Sequence, residues 1–287
     1  PQETHQDHQG VKQKDLRGRG AYQGRNCDGA QMKRMTSLLW KSSRQLVPKG
    51  KYRWQLILLV LIAAAIPVTE LLVAKLFTDL VVSGAGMPVA EIIVSVILFA
   101  LLFATTRIAN YLQKTYRVKF FDKAFGADER QKTANTESWE WAMALELVNV
   151  LSFLTQMFVI AAFFFFLNPG FAAINLAFIL IVLQVMGVLF VRQFKTQRGF
   201  VQKRRAKGTV TPAERLGTRI QQAEFGTLLA SFGVVVLFAI LIWLSIEGQI
   251  SLANTIVFFL GLRLQNTTFS SVSSALMRFA RAKANSF

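Results

Sequence analysis

The fold class this sequence predicts is an all-α membrane protein with six transmembrane helices and helical cytosolic hairpins, and three observations predict it. Six stretches are long and apolar: approximately 54–82, 90–112, 142–167, 170–194, 226–246 and 250–276. The connections between them alternate between short turns almost free of positive charge and strongly basic loops. The composition, 53% hydrophobic with a mean hydropathy of +0.38, is hard to fit into a water-soluble domain. A helix needs roughly 20 apolar residues to cross a hydrocarbon core of about 30 Å, and each stretch meets that length.

Taken in order, residues 1–35 are rich in Gln, Gly, Arg and Asp and read as a disordered tail. Met32 or Met35 fits a natural start, with the preceding residues a translated leader. Cys27 lies alone, so neither an intramolecular disulfide nor a cysteine zinc site is expected, and His5 and His8 read as solvated tail residues. Residues 36–287 read as one six-span transmembrane domain, since no linker rich in Pro, Gly or Ser divides them. The first span carries Pro67 in its interior.

Lys and Arg set the orientation. Lys41, Arg44, Lys49, Lys51 and Arg53 precede the first span; Lys114, Arg117, Lys119, Lys123, Arg130 and Lys132 follow the second. The fourth connection carries Arg192, Lys195, Arg198, Lys203, Arg204, Arg205, Lys207, Arg215 and Arg219. The opposite turns, Ser83 to Pro88, Asn168 to Gly170 and Glu247 to Gln249, carry none. By the positive-inside rule both termini are expected in the cytoplasm. Both basic connections are helix-compatible and read as hairpins, the first turning near 128–137. In the second, Thr211, Pro212 and Glu214 read as a helix start: an N-cap, proline at the first helical position, and a carboxylate favoured by the macrodipole.

Six spans, minimal outer turns and helical hairpins after the second and fourth spans resemble the transmembrane domain of a type I ABC exporter half-transporter. The outer turn Ile246-Glu247-Gly248-Gln249-Ile250-Ser251, leading into Thr255 to Gly261, is similar to the family's turn before its sixth span. The closing segment Met277 to Phe287 resembles the extension that precedes the family's nucleotide-binding domain. Pro67 and the segment Leu76 to Leu80 fit the first span, so the resemblance covers about Trp40 to Phe287. It implies a dimer with a second copy or a paralogue, a translocation path between the two bundles, and a bacterial inner (plasma) membrane. There is no G-x-x-x-x-G-K-[ST] phosphate loop. The chain would therefore hold no cofactor of its own, and ATP would act only through a separate nucleotide-binding subunit. The first hairpin lacks the family's Gly-Asp and Ser-Arg signature, and the second is shorter than usual. Those departures support an alternative reading, an ATPase-free accessory or scaffold subunit that keeps the exporter fold.

Ionisable residues at depth point to function, because they are expensive in hydrocarbon and face cavities or partners. Arg263, about a dozen residues into the sixth span, and Glu70, one turn after Pro67, are expected either to pair or to line a polar cavity in the translocation path. Asn266 and Gln156 join them as candidates. For these two, as for Asn175, Gln184, Thr267 and Thr268, interhelical hydrogen bonding is the first expectation and contact with a substrate the second. Lys75 and Asp79 are expected to reach the outer interface by snorkelling, and Trp54 and Trp243 to anchor at interfaces. At the hairpin tips Trp139, Trp141, Glu214 and Arg215 are candidate docking residues for a partner, the two tryptophans also fitting the inner interface of the third span.

A net charge of +17 suggests nucleic acid, but the basic residues flank apolar spans, so the lipid bilayer is the expected partner. No histidine lies outside the tail, which excludes a Ser-His-Asp triad or HExxH zinc site in the body, and no carboxylate pair stands out. An enzyme active site is not expected. Because Cys27 is the sole cysteine, a Cys27→Ser background reports topology directly. Gly248→Cys is expected to react with an impermeant maleimide on intact cells, and Lys207→Cys only after permeabilisation. Labelling in the opposite order contradicts the orientation.

Overall fold

The computed structural model describes residues 28–46, 51–83, 88–126 and 134–286. Among them there are seven helices: α1 (Asp28–Leu46), α2 (Lys51–Ser83), α3 (Val89–Gly126), α4 (Ala134–Leu167), α5 (Pro169–Arg205), α6 (Pro212–Ile246) and α7 (Leu252–Asn285). Five of them, α2 to α6, are long and apolar enough to cross a membrane, which makes this an integral, multi-pass membrane protein. At ~1.5 Å per residue, the 37 residues of α5 far exceed a hydrocarbon core, so apolar spans continue into polar helical extensions. The first expected hairpin tip lies largely outside the described residues.

The helix boundaries follow from capping chemistry. At the turn between α4 and α5, Asn168 Oδ1 accepts from the Phe171 N–H at 2.9 Å, and Pro169 occupies the first turn where no N–H is needed. Thr211 caps α6 as expected, its Oγ1 accepting from Glu214 N–H at 3.2 Å. Ser251 caps α7 in the same way. At the outer turn before α7, Gly248 adopts φ +75°, a left-handed conformation that glycine takes without a Cβ penalty.

Helix α7 is the centre of the bundle. It packs against α4, α6, α5 and α2, whereas α3 packs chiefly on α2 and presents most of its apolar surface outward. Close approach depends on small residues. A Cβ on Gly261 would lie 2.5 Å from the Phe164 ring, and one on Gly226 would lie 2.6 Å from Ser273 Oγ. Phe258 meets both Phe164 and Phe171 edge-to-face, and these three fully buried rings have centroids 4.7 to 6.2 Å apart. One turn deeper, Asn175 of α5 and Gln265 of α7 exchange both amide hydrogen bonds, at 3.0 and 2.9 Å, with neither side chain exposed.

Two boundaries differ from the sequence reading. Helix α1 begins at Asp28, inside the stretch expected to be a tail, and Met35, Leu39, Ser42 and Leu46 are buried. It packs against α5 and α4, and Met32 Cα sits 3.4 Å from where a Cβ on Gly187 would be. Residues 1–27 of that tail lie outside the described residues. The expected sixth span, 250–276, is helical throughout as part of α7, yet α7 falls short of the apolarity of the other five. Its middle is polar, running from Arg263 through Gln265, Asn266, Thr267 and Thr268. The four helices around it supply what lipid would not.

Because the Asn175 and Gln265 amides satisfy each other inside the core, truncating one orphans the other. Gln265→Leu is expected to cost about 1–3 kcal/mol in detergent unfolding, and Asn175→Leu in the same chain is expected to restore part of it. A double variant as unstable as the sum of the singles shows the two amides are not coupled.

Candidate functional site

The candidate site is organised by one face of α2. Ala63, Ile66, Glu70 and Ala74 recur at spacings of three and four, so they line a single stripe. The part of this stripe nearer the α2–α3 turn, called outer after the orientation expected from the basic loops, faces α7. There Glu70, Leu71 and Ala74 line a cleft of about 290 Å³ with Leu260, Arg263, Leu264 and Thr267. Arg263 lies 11 residues into α7 and Glu70 lies 13 residues before the end of α2, both roughly 15–20 Å along their axes from the outer ends. Both side chains are exposed, and among the described residues no ion pair joins them. Of the two expected arrangements, the structure therefore has them lining one cleft rather than paired.

The inner part of the stripe faces α3 and α4. Ala63 and Ile66 line a second polar cleft of about 260 Å³ with Asn110, Gln113, Lys114 and Arg117 of α3 and Asn149, Ser152, Phe153 and Gln156 of α4. Arg117 donates to Asn149 Oδ1, and Asn149 Nδ2 donates to Glu146 at 3.4 Å. Glu146 also holds Arg278 of α7 at 2.6 Å. Ser152 is 4% exposed, and among the described residues neither its hydroxyl nor Arg117 Nε has a hydrogen-bond partner.

Gln156 has a specific structural task. Pro67 has no N–H, so the carbonyl four residues earlier, Ala63 O, loses its helical partner. Gln156 Nε2 donates to that carbonyl at 2.8 Å, supplying from α4 the bond that α2 cannot make. In hydrocarbon such an orphan has no water to turn to. Asn266 likewise faces away from the cleft of Arg263: its Oδ1 accepts from Ser231 Oγ of α6 at 3.0 Å. The four path candidates thus divide, Arg263 and Glu70 sharing the outer cleft, Gln156 lining the inner one, and Asn266 tying α7 to α6. Lys75 pairs with Asp79 at 3.0 Å and reaches Asn254 of α7 at 3.4 Å, so it bridges two helices.

The docking candidates gather at the opposite end. Trp139 lies beneath Arg281 of α7, 5.6 Å from ring centroid to guanidinium, and Trp141 stands edge-on to Phe121 at 6.3 Å. Both tryptophans are half-buried against the core. Burial holds the Arg281 guanidinium below the ordinary arginine range, as do Arg219, Arg215 and Arg204 nearby. Trp139 and Arg215 therefore border one basic cluster, while Glu214 is exposed in the first turn of α6. Leu216 and Ile220, one turn apart on α6, are exposed at 37% and 53%; sequence reasoning passed over both, although their spacing marks a face.

No protein-family model and no curated protein matches the chain. The geometry alone bears on function.

The link between Pro67 and Gln156 is testable by a cycle. Gln156→Leu is expected to destabilise the protein in detergent by about 1–3 kcal/mol, through the orphaned Ala63 carbonyl. In a Pro67→Ala background, where residue 67 regains its N–H, the same change is expected to cost well under half as much. Equal costs in both backgrounds rule out the compensation.

Proposed function

We propose that this chain is a membrane-spanning subunit of an ABC-exporter-like transporter, with α7 as its sixth span. A second copy or paralogue closes the Arg263 cleft, and a separate nucleotide-binding subunit supplies energy. The carrying observation is the outer cleft. An exposed charged side chain near the bilayer midplane costs about 2.5–3.5 kcal/mol or more against lipid, and here Glu70 and Arg263 stand together on one open face at that depth. A water-lined path between two bundles is a surface that tolerates both. Supporting it, the α2 stripe, apolar except at Glu70, runs from that cleft to the inner one, and polar groups of α3, α4 and α7 border it over more than two turns. Leu216 and Ile220, beside Glu214 and Arg215, give the second hairpin an apolar ridge with a charged rim suited to docking. Alternating access would be a rocking of the two bundles. With the basic loops inside, both termini are cytoplasmic in this reading.

A second reading, an accessory subunit without an ATPase, is favoured by the brevity of the α5–α6 tip. Only six residues separate Arg205 from Pro212, and Lys207 there turns left-handed at φ 58°. Mild-detergent purification from the native membrane separates the two. The transporter reading expects a stoichiometric ATPase whose turnover falls at least severalfold with Leu216→Asp, and a Thr267→Cys chain, in a Cys27→Ser background, that forms a cross-linked dimer on oxidation. Arg263→Met is expected to abolish substrate-stimulated turnover while leaving assembly intact. A preparation free of ATPase, or bound to another membrane assembly, moves the assignment to the accessory role.

A further inference from the structure

We propose that the inner cleft between α2, α3 and α4 is a binding site for the phosphate headgroup of an anionic glycerophospholipid, with the groove beside it taking an acyl chain. The site goes beyond the transport reading and does not depend on it.

Depth comes first. Arg117 is 28 residues from the outer end of α3 at Val89, roughly 40 Å along the axis, past a hydrocarbon core of about 30 Å. The Lys114–Arg117 end of the cleft thus opens at the level of the inner headgroups, while its Ile66–Gln156 end, 17 and 11 residues from the outer ends of α2 and α4, reaches into the core. Charge comes second. Lys114 and Arg117 line it, and no lining residue is a carboxylate. Glu146, the nearby acid on α4, acts on Arg117 through space but is shared with Arg278 and Asn149, so it offsets only part of the charge of the two cations. A zwitterionic headgroup would bring a quaternary ammonium that finds no acidic partner here.

The third argument is unmet hydrogen bonding. The Ser152 hydroxyl is buried without a partner, and Arg117 Nε is in the same condition although its terminal nitrogen is tied to Asn149. Buried polar groups are nearly always paired. A phosphate accepting from the guanidinium, the ammonium of Lys114 and the serine hydroxyl satisfies them together, in charge-assisted bonds of the strong kind. Finally, Gln113 lines both this cleft and an apolar groove of about 580 Å³ formed by Leu58, Leu59, Ile62, Leu112 and Tyr116 among others. A polar pocket meeting an apolar groove at one side chain has the two-part character of a lipid.

Native mass spectrometry of the delipidated full chain tests the site, with phosphatidylglycerol, phosphatidylcholine and inorganic phosphate as probes. Lys114 is exposed and makes no side-chain hydrogen bond or ion pair among the described residues, so Lys114→Gln is expected to leave the fold intact; Ser152→Val fills the pocket while keeping the size of the side chain close. The expected result is one phosphatidylglycerol per chain in preference to phosphatidylcholine, weakened about tenfold by either change. Lys195→Gln, the same charge change on an exposed position of α5, is expected to leave binding unaltered. Equal retention of both lipids overturns the proposal, as does an equal loss with Lys195→Gln, which signals general surface charge. Displacement of the lipid by an equal concentration of inorganic phosphate also overturns it, because the groove would then contribute nothing and the site would be one for a free anion.

Discussion

The architecture depends on keeping α7 out of lipid. Its middle carries an arginine, two amides and several hydroxyls, a composition that hydrocarbon does not tolerate on an exposed helix. Surrounded by α2, α4, α5 and α6, it satisfies its amides and Ser273 laterally, whereas Thr267 and Thr268, expected to bond between helices, donate to carbonyls of α7 itself and Arg263 faces the open cleft. Gln265 closes on Asn175, Asn266 receives Ser231, and Ser273 donates to the Ala223 carbonyl at 2.8 Å. Each bond reaches a different part of the wall, so the central helix fixes the register of its neighbours. Apolar packing alone would not, since lipid tails compete with leucine on equal terms. The glycines at 226 and 261 complete the constraint by letting the backbones approach until those short side chains meet.

The same rule governs α2. Proline in its interior removes one donor, and the amide that replaces it comes from α4. That single contact draws α4 against the α2 stripe and so shapes the inner cleft, whose wall includes Gln156 itself. Structure and candidate chemistry therefore share residues, and a loss of function at Gln156 would have two possible origins. Arg263 and Glu70 are different in kind: among the described residues their side chains make no hydrogen bond or ion pair, which is why they carry the functional argument.

Most of this was legible in the sequence where lipid imposes the pattern. The spans of α2 to α6 follow from uninterrupted apolar runs, and the start of α6 from Thr211, Pro212 and Glu214, because capping is local chemistry. Helix α1 was not read, although Met35, Leu39, Ser42 and Leu46 repeat at spacings of four and three. Its polar residues outweigh the apolar ones, and the burying surface on α5 lies more than a hundred residues away. Asn175 stood out as a polar residue in a span, but nothing local names Gln265 as its partner. The orphan carbonyl behind Pro67 is predictable from covalent chemistry alone; that Gln156 fills it depends on how two helices pack. Glu146 was overlooked because its partners, Arg278 and Asn149, come together only in the bundle.

Helix α1 also has a history in time. Its docking surface includes Gly187, which emerges from the ribosome long after Leu46. At roughly 5–20 residues per second, the N-terminal helix waits on the order of ten seconds before α5 exists to receive it. During that interval its amphipathic form, with Lys33, Arg34, Lys41 and Arg44 on the exposed side and Met35 and Leu39 on the other, suits it to rest on the anionic membrane surface. A helix made before α5 would thus find its place only after α5 is made, with the bilayer surface as its provisional scaffold.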